Sequence, residues 1–91
     1  TFKFTRWFMV FSLNNISLYP NPTNGILNIS ANPVLGSPKN VTIYNNLGQI
    51  VKTVNANSNE FSVDTANFSS GVYFIKLDFN NNSKTLRFIK N

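Results

Sequence analysis

Apolar and polar positions alternate with a period of two over most of the chain. Polar runs interrupt the alternation at intervals of roughly 8–12 residues, the spacing of short strands joined by tight turns. The clearest stretch runs from Gly71 to Lys90. There Tyr73, Ile75, Leu77 and Phe79 share one face of a predicted strand, with Val72, Phe74, Lys76 and Asp78 on the other. The run Asn80-Asn81-Asn82 separates it from a second apolar-rich segment, so the pair reads as a β-hairpin. In that second segment Leu86 and Phe88 alternate with Arg87, and Lys84, Ile89 and Lys90 flank them. The last strand thus carries apolar anchors together with fixed positive charge, and its place beside the final residue leaves it open to be read by another molecule.

Upstream, the pattern repeats. Ile16–Tyr19 forms a short strand that Pro20 stops, because proline has no amide donor and biases Tyr19 toward extended geometry. In Pro20-Asn21-Pro22-Thr23-Asn24-Gly25 the two prolines fix φ, Asn24 tolerates the left-handed region and Gly25 supplies positive φ, which predicts a turn. A strand over Ile26–Ser30 follows, then a loop containing Asn32-Pro33 and Gly36-Ser37-Pro38. Val41 and Ile43 alternate with Thr42 and Tyr44, Asn45-Asn46-Leu47-Gly48 makes a turn, and Gln49–Val54 returns as its partner. Glu60–Asp64 is a short strand with Phe61 and Val63 together, and Phe68 in the next connection is expected to plug the core. Gly71 is expected to open its strand and Tyr73 to fill the core with its hydroxyl at the rim. No window shows apolar residues at helical spacing over three turns. The expected fold is all-β, an antiparallel sandwich of about seven short strands.

Residues 1–15 stand apart because they are crowded with aromatics. Lys3 and Arg6 ahead of the apolar run Trp7–Leu13 loosely match a signal peptide, but no small-residue cleavage site follows and the run is far short of the roughly 20 residues that span a bilayer. The segment is expected to be an upstream linker or the remnant of a preceding region, which makes the chain a piece of a larger gene product. As a strand it would place Phe2, Phe4, Phe8 and Val10 on one face, interrupted by Arg6. Residues 16–91 form the domain.

Composition narrows the chemistry. At 91 residues there is one small core, burying about 60% of the extended chain's surface. The chain has no cysteine and no histidine, hence no disulfide, thiolate nucleophile, imidazole base or conventional zinc site. The net charge of +5 favours anionic partners, yet only 12% of residues are charged and the polar coat is mostly Asn, Ser and Thr, unlike the clustered cations of a nucleic-acid binder. The acids are Glu60, Asp64 and Asp78. Four residues of strand hold the first two about 13 Å apart, too far for paired-carboxylate glycoside hydrolysis. No calcium-loop spacing occurs. Five Asn-x-Ser/Thr sequons, beginning at Asn15, Asn28, Asn40, Asn67 and Asn81, are what a chain this rich in Asn contains by chance. The domain is therefore expected to be non-catalytic, with neither metal nor cofactor.

Taken in order, four motifs resemble a known family. They are Ser17-Leu18-Tyr19-Pro20-Asn21-Pro22-Thr23-Asn24-Gly25, then Val41–Val51 with Tyr44, Asn45 and Gly48, then Phe68 followed by Gly71-Val72-Tyr73-Phe74-Ile75-Lys76-Leu77, and finally Lys84 through Lys90. Each alone is weak, but the series is similar to the type A C-terminal sorting domain of the Bacteroidetes type IX secretion system, and the likeness covers about residues 16–91. The resemblance implies an immunoglobulin-like sandwich of seven strands that acts as a secretion address, and the chain is expected to be a monomer without a transmembrane segment. It implies that cargo attached at the N-terminal side crosses the inner membrane by the Sec route and passes through the periplasm. The domain then presents it to the outer-membrane translocon for delivery to the cell surface or medium. It also implies that a surface sortase removes the domain near Asn14, Asn15, Ile16 and Ser17 and joins the cargo to anionic lipopolysaccharide. The candidate surface for the machinery is the last strand, Lys84, Leu86, Arg87, Phe88, Ile89 and Lys90, engaged by charge or by pairing of its edge. Tyr19, Pro20, Asn21, Pro22, Gly25, Tyr44, Asn45, Gly48, Gly71 and Tyr73 are expected to be structural. The rival reading is an adhesive or carbohydrate-binding sandwich module, for which Tyr19, Tyr44 and Trp7 are the candidate aromatics.

Overall fold

The computed structural model describes residues 11–13 and 15–91. Phe2, Lys3, Phe4, Arg6, Trp7, Phe8, Val10 and Asn14 lie outside the described residues. The strands are β1 (Phe11–Leu13), β2 (Ile16–Tyr19), β3 (Ile26–Ala31), β4 (Asn40–Asn45), β5 (Ile50–Asn55), β6 (Glu60–Asp64), β7 (Gly71–Asp78) and β8 (Ser83–Lys90). One short 3-10 turn at Pro33–Leu35 interrupts them. Two antiparallel four-stranded sheets, β1-β2-β3-β6 and β5-β4-β7-β8, face each other. The chain crosses between them after β3, after β5 and after β6, as in immunoglobulin-type sandwiches.

All seven strands expected from the alternation form. The eighth, β1, pairs with β2 in the register Phe11↔Leu18, Ser12↔Ser17 and Leu13↔Ile16, so the first sheet reaches into the segment that the sequence pattern sets apart. Asn15 makes the turn between them at φ 69°, a left-handed geometry that Asn tolerates better than most residues.

The alternation becomes a core because the inward positions of the two sheets are apolar except on the border strands β5 and β8, where Lys52, Lys84 and Lys90 also stand at inward positions. Ile16, Leu18, Leu27, Ile29 and Val63 from one sheet meet Val41, Ile43, Ile75, Leu77, Leu86 and Phe88 from the other, all at most 2% exposed. Tyr73 and Phe79 complete the inward row of β7 and its following turn. Phe68 packs against this cluster, its ring 5.0 Å from that of Tyr73, which in turn stacks on Phe88 at 5.6 Å. The Tyr73 hydroxyl donates to the Ser69 carbonyl at 2.7 Å, so the one polar atom of this trio is satisfied.

Two turns differ in how they are made. In the β4–β5 turn Gly48 takes φ 85°, while Asn45 Oδ1 accepts from the Leu47 and Gln49 amides at 2.9 and 3.0 Å. In 20–25 neither Asn24 nor Gly25 has positive φ, and the Tyr19–Pro20 and Asn21–Pro22 bonds are cis. The expectation of a left-handed turn there is corrected. Thr23, fully buried, organises the segment instead: its hydroxyl donates to the Ile26 carbonyl at 3.0 Å and accepts from the Gly25 amide at 3.2 Å. The buried Thr65 ties the same segment to the end of β6, since its amide and its hydroxyl both donate to the Gly25 carbonyl.

Removing the fully buried ring with Phe88→Ala should cost about 3–5 kcal/mol. Arg87→Ala, one position along on the solvent side, should stay within about 0.5 kcal/mol. Urea denaturation of both variants checks this, and equal losses would contradict the inside–outside assignment of β8.

Candidate functional site

The closing hairpin is formed by complete pairing of β7 with β8, from Gly71↔Lys90 to Asp78↔Ser83. Because β8 lies at the border of its sheet, one row of its backbone groups turns away from β7. Odd-numbered residues supply that row, since the Ile89 amide and the Arg87 and Ile89 carbonyls all bond away from β7.

Much of the row is already taken. The Thr23 amide donates to the Ile89 carbonyl and the Asn91 amide to the Thr23 carbonyl, each at 2.9 Å, which makes a short parallel bridge. Asn21 Oδ1 accepts from the Ile89 amide at 3.0 Å and Asn21 Nδ2 donates to the Arg87 carbonyl at 3.4 Å. Asn91 Nδ2 donates to Asn24 Oδ1 at 3.1 Å. The double-proline segment therefore acts as a strap over the border of β8 from Arg87 to Asn91, leaving only the part near Ser83 and Thr85 uncovered. Pro20 and Pro22 suit this place, because a strap residue without an amide donor offers no new strand border.

The side chains of the predicted recognition strand divide by parity. Leu86 and Phe88 are core and are not displayed, which corrects the expectation that they lie beside the cations on the surface. Lys90 is 7% exposed, and its Nζ donates to the Phe68 carbonyl at 3.1 Å. Its aliphatic stem lies at an inward position while the ammonium reaches the rim, as long basic side chains do. Lys84 is half-buried. Arg87 and Ile89 face solvent, and among the described residues Arg87 makes no ion pair.

The other sequence-predicted residues are scattered. Tyr19 is exposed, Pro20 borders it, and Asn21, Pro22 and Gly25 are half-buried in the strap. Tyr44 and Asn45 are half-buried at the end of β4, and Gly71 opens β7 at φ 153°, where a side chain would be strained. In the predicted cleavage region Asn15 is exposed in its turn, Ile16 is wholly buried and Ser17 is half-buried in β2.

No group of three or more acidic side chains that could hold a metal comes together among the described residues. Asp78 lies 3.9 Å from Lys76, apart from Glu60 and Asp64 on β6. The hollow beside Glu60, about 210 Å³, is lined by that carboxylate with Tyr19, Asn28, Ile29, Phe61 and Ser62, and so holds a single acid. No described helix is long and apolar enough to cross a membrane.

Sequence reasoning missed two features. The strap's grip on β8 joins positions more than sixty residues apart, as the Asn21–Arg87 and Asn21–Ile89 bonds show, and no local pattern reports such a contact. The buried threonines were hidden because threonine usually reads as surface.

Residues 17–91 match the model of a protein family described as the secretion system C-terminal sorting domain. No curated protein matches the chain.

Asn21→Ala should cost about 1 kcal/mol in denaturant unfolding. It should also uncover the β8 border, so that sedimentation shows association rising with concentration where the parent chain stays unchanged. A variant as stable and as dispersed as the parent would show that the Asn21 contacts hold nothing.

Proposed function

Because the chain belongs to the C-terminal sorting domains of the type IX secretion system, we propose that it is the address by which an N-terminally attached cargo is carried through the periplasm and across the outer membrane. Export to the cell surface or the extracellular space is what membership of this family means, and the family works as a signal rather than as a catalyst. The observation that carries the reading is the match across residues 17–91. The fold supports it: a small sandwich with a satisfied core, a strapped last strand and no constellation for chemistry among its described residues suits a part that must fold on its own and be recognised.

Two finer steps belong to the proposal. A surface sortase cuts between Asn14 and Asn15, because Asn15 is exposed whereas Ile16 is packed at 0% exposure and the next residues are paired in β2. The three-residue strand β1 then leaves with the cargo, which is joined to anionic lipopolysaccharide. The terminal strand contributes to recognition through Arg87 and Ile89, with Leu86, Phe88 and Lys90 holding it in place.

The carbohydrate-binding alternative gains little from the geometry. Tyr19 and Tyr44 lie on opposite sheets and form no common platform.

A fluorescent protein with a Sec signal, followed by residues 1–91, should reach the medium or surface of a bacterium that has the type IX system. The same fusion without the domain should stay in the periplasm. Retention of both would contradict the reading. Mass spectrometry of the released domain should find Asn15 at its new N-terminus, and a first residue deeper in β2 would contradict the proposed cut.

A further inference from the structure

The two outer faces of the sandwich differ in kind. On the β1-β2-β3-β6 sheet the outward positions include Ser17, Ser30 and Glu60 in one row and Tyr19, Asn28 and Ser62 in the next. Its side chains already bond to one another there, Ser62 Oγ donating to Asn28 Oδ1 at 2.8 Å. On the β5-β4-β7-β8 sheet the register sets Ile50, Tyr44, Phe74 and Arg87 side by side across all four strands. Val72 and Ile89 form the adjoining row. The bulge opposite Ile43 and Tyr44 is what brings Ile50 into line. None of these side chains belongs to the core, and Ile50 is 62% and Ile89 37% exposed. The strands of the two sheets differ in charge as well, although on the second sheet only Lys76 and Arg87 among the cations stand at outward positions. The described strands of the first sheet carry Glu60 and Asp64 and no cation, whereas the second carries Lys52, Lys76, Lys84, Arg87 and Lys90 against Asp78 alone.

We infer that this outer face, the row Ile50–Tyr44–Phe74–Arg87 with Val72 and Ile89, is the docking surface for a protein of the export machinery that presents apolar side chains and a carboxylate opposite Arg87. The inference rests on the sorting reading and deepens it by naming the surface. Four strands set the row about 14 Å across, room for two or three side chains of a partner. An apolar strip with a guanidinium at its end that makes no ion pair among the described residues fits a protein interface, where aromatic residues and Arg supply the anchors. Charge selects among the occupants. An anionic lipid surface calls for several free cations, yet Lys76 is already beside Asp78 on this face, which leaves Arg87. A second copy of the chain carries its other acids, Glu60 and Asp64, on the opposite sheet, where Ile26 beside Asp64 offers a single aliphatic contact rather than a strip.

The test compares export of the fluorescent fusion carrying Arg87→Glu, Arg87→Lys or Ile50→Lys with Glu60→Lys and Ile26→Lys on the opposite sheet. Melting of each isolated domain is measured in parallel. The expected result is at least tenfold less export for Arg87→Glu and for Ile50→Lys, with parent-like export for Arg87→Lys and both opposite-sheet variants, at unchanged melting temperature. Parent-like export of Arg87→Glu and Ile50→Lys overturns the docking surface while leaving the sorting reading intact. Retention of the parent fusion contradicts the sorting reading and this surface with it. Two further outcomes overturn the inference by giving the face another occupant. One is loss of binding to lipopolysaccharide vesicles in Arg87→Glu with export of the fusion unaffected. The other is a parent dimer that Ile50→Lys disperses.

Discussion

The grip of the strap on the last strand is the constraint on which the rest of the molecule depends. A strand at a sheet border is open to any chain able to pair with it. Here Asn21 and Thr23 take up the groups that β8 would otherwise present from Arg87 onward, and Asn24 bonds the side chain of Asn91 just beyond it. The strap is held from beneath by Thr23 and Thr65, both wholly buried and both bonded within the Gly25–Ile26 turn. Polar groups placed so deep stabilise one arrangement only, since moving the strap would leave them without partners.

Function follows from what this closure leaves available. With half the border of β8 occupied, pairing of that border to a receptor strand is confined to the stretch near Ser83 and Thr85. On the proposed reading recognition is left to side chains, and parity separates them: the even positions Leu86, Phe88 and Lys90 face inward and the odd positions Arg87 and Ile89 outward. Cutting the strand away would remove core as well as surface. Export lost after such a truncation would therefore not separate unfolding from failed recognition, whereas substitutions on the outer face do.

Much of the fold was legible because alternation, Gly and Pro report local backbone choices. Tyr73, Ile75, Leu77 and Phe79 are buried together as their spacing required, Phe68 packs on the core, and Gly48 takes the positive φ its turn needed. The 20–25 turn was misread in detail: its composition allows a left-handed glycine, but Thr23 and the bridge to Ile89 decide its path, and those contacts come from the other end of the chain. The last strand was half legible. Its alternation placed Leu86 and Phe88 together on one face, while Lys90 looked like surface charge because nothing local shows that the Phe68 carbonyl waits for its ammonium.

Amide hydrogen exchange on the isolated domain tests the closure of the last strand most directly. If the strap seals β8, the amides of Ile89, Thr23 and Asn91 exchange slowly, near the rate set by opening of the whole domain, while the uncovered Thr85 amide exchanges many times faster. Fast exchange at Ile89 and Thr23, matching Thr85, would contradict the account.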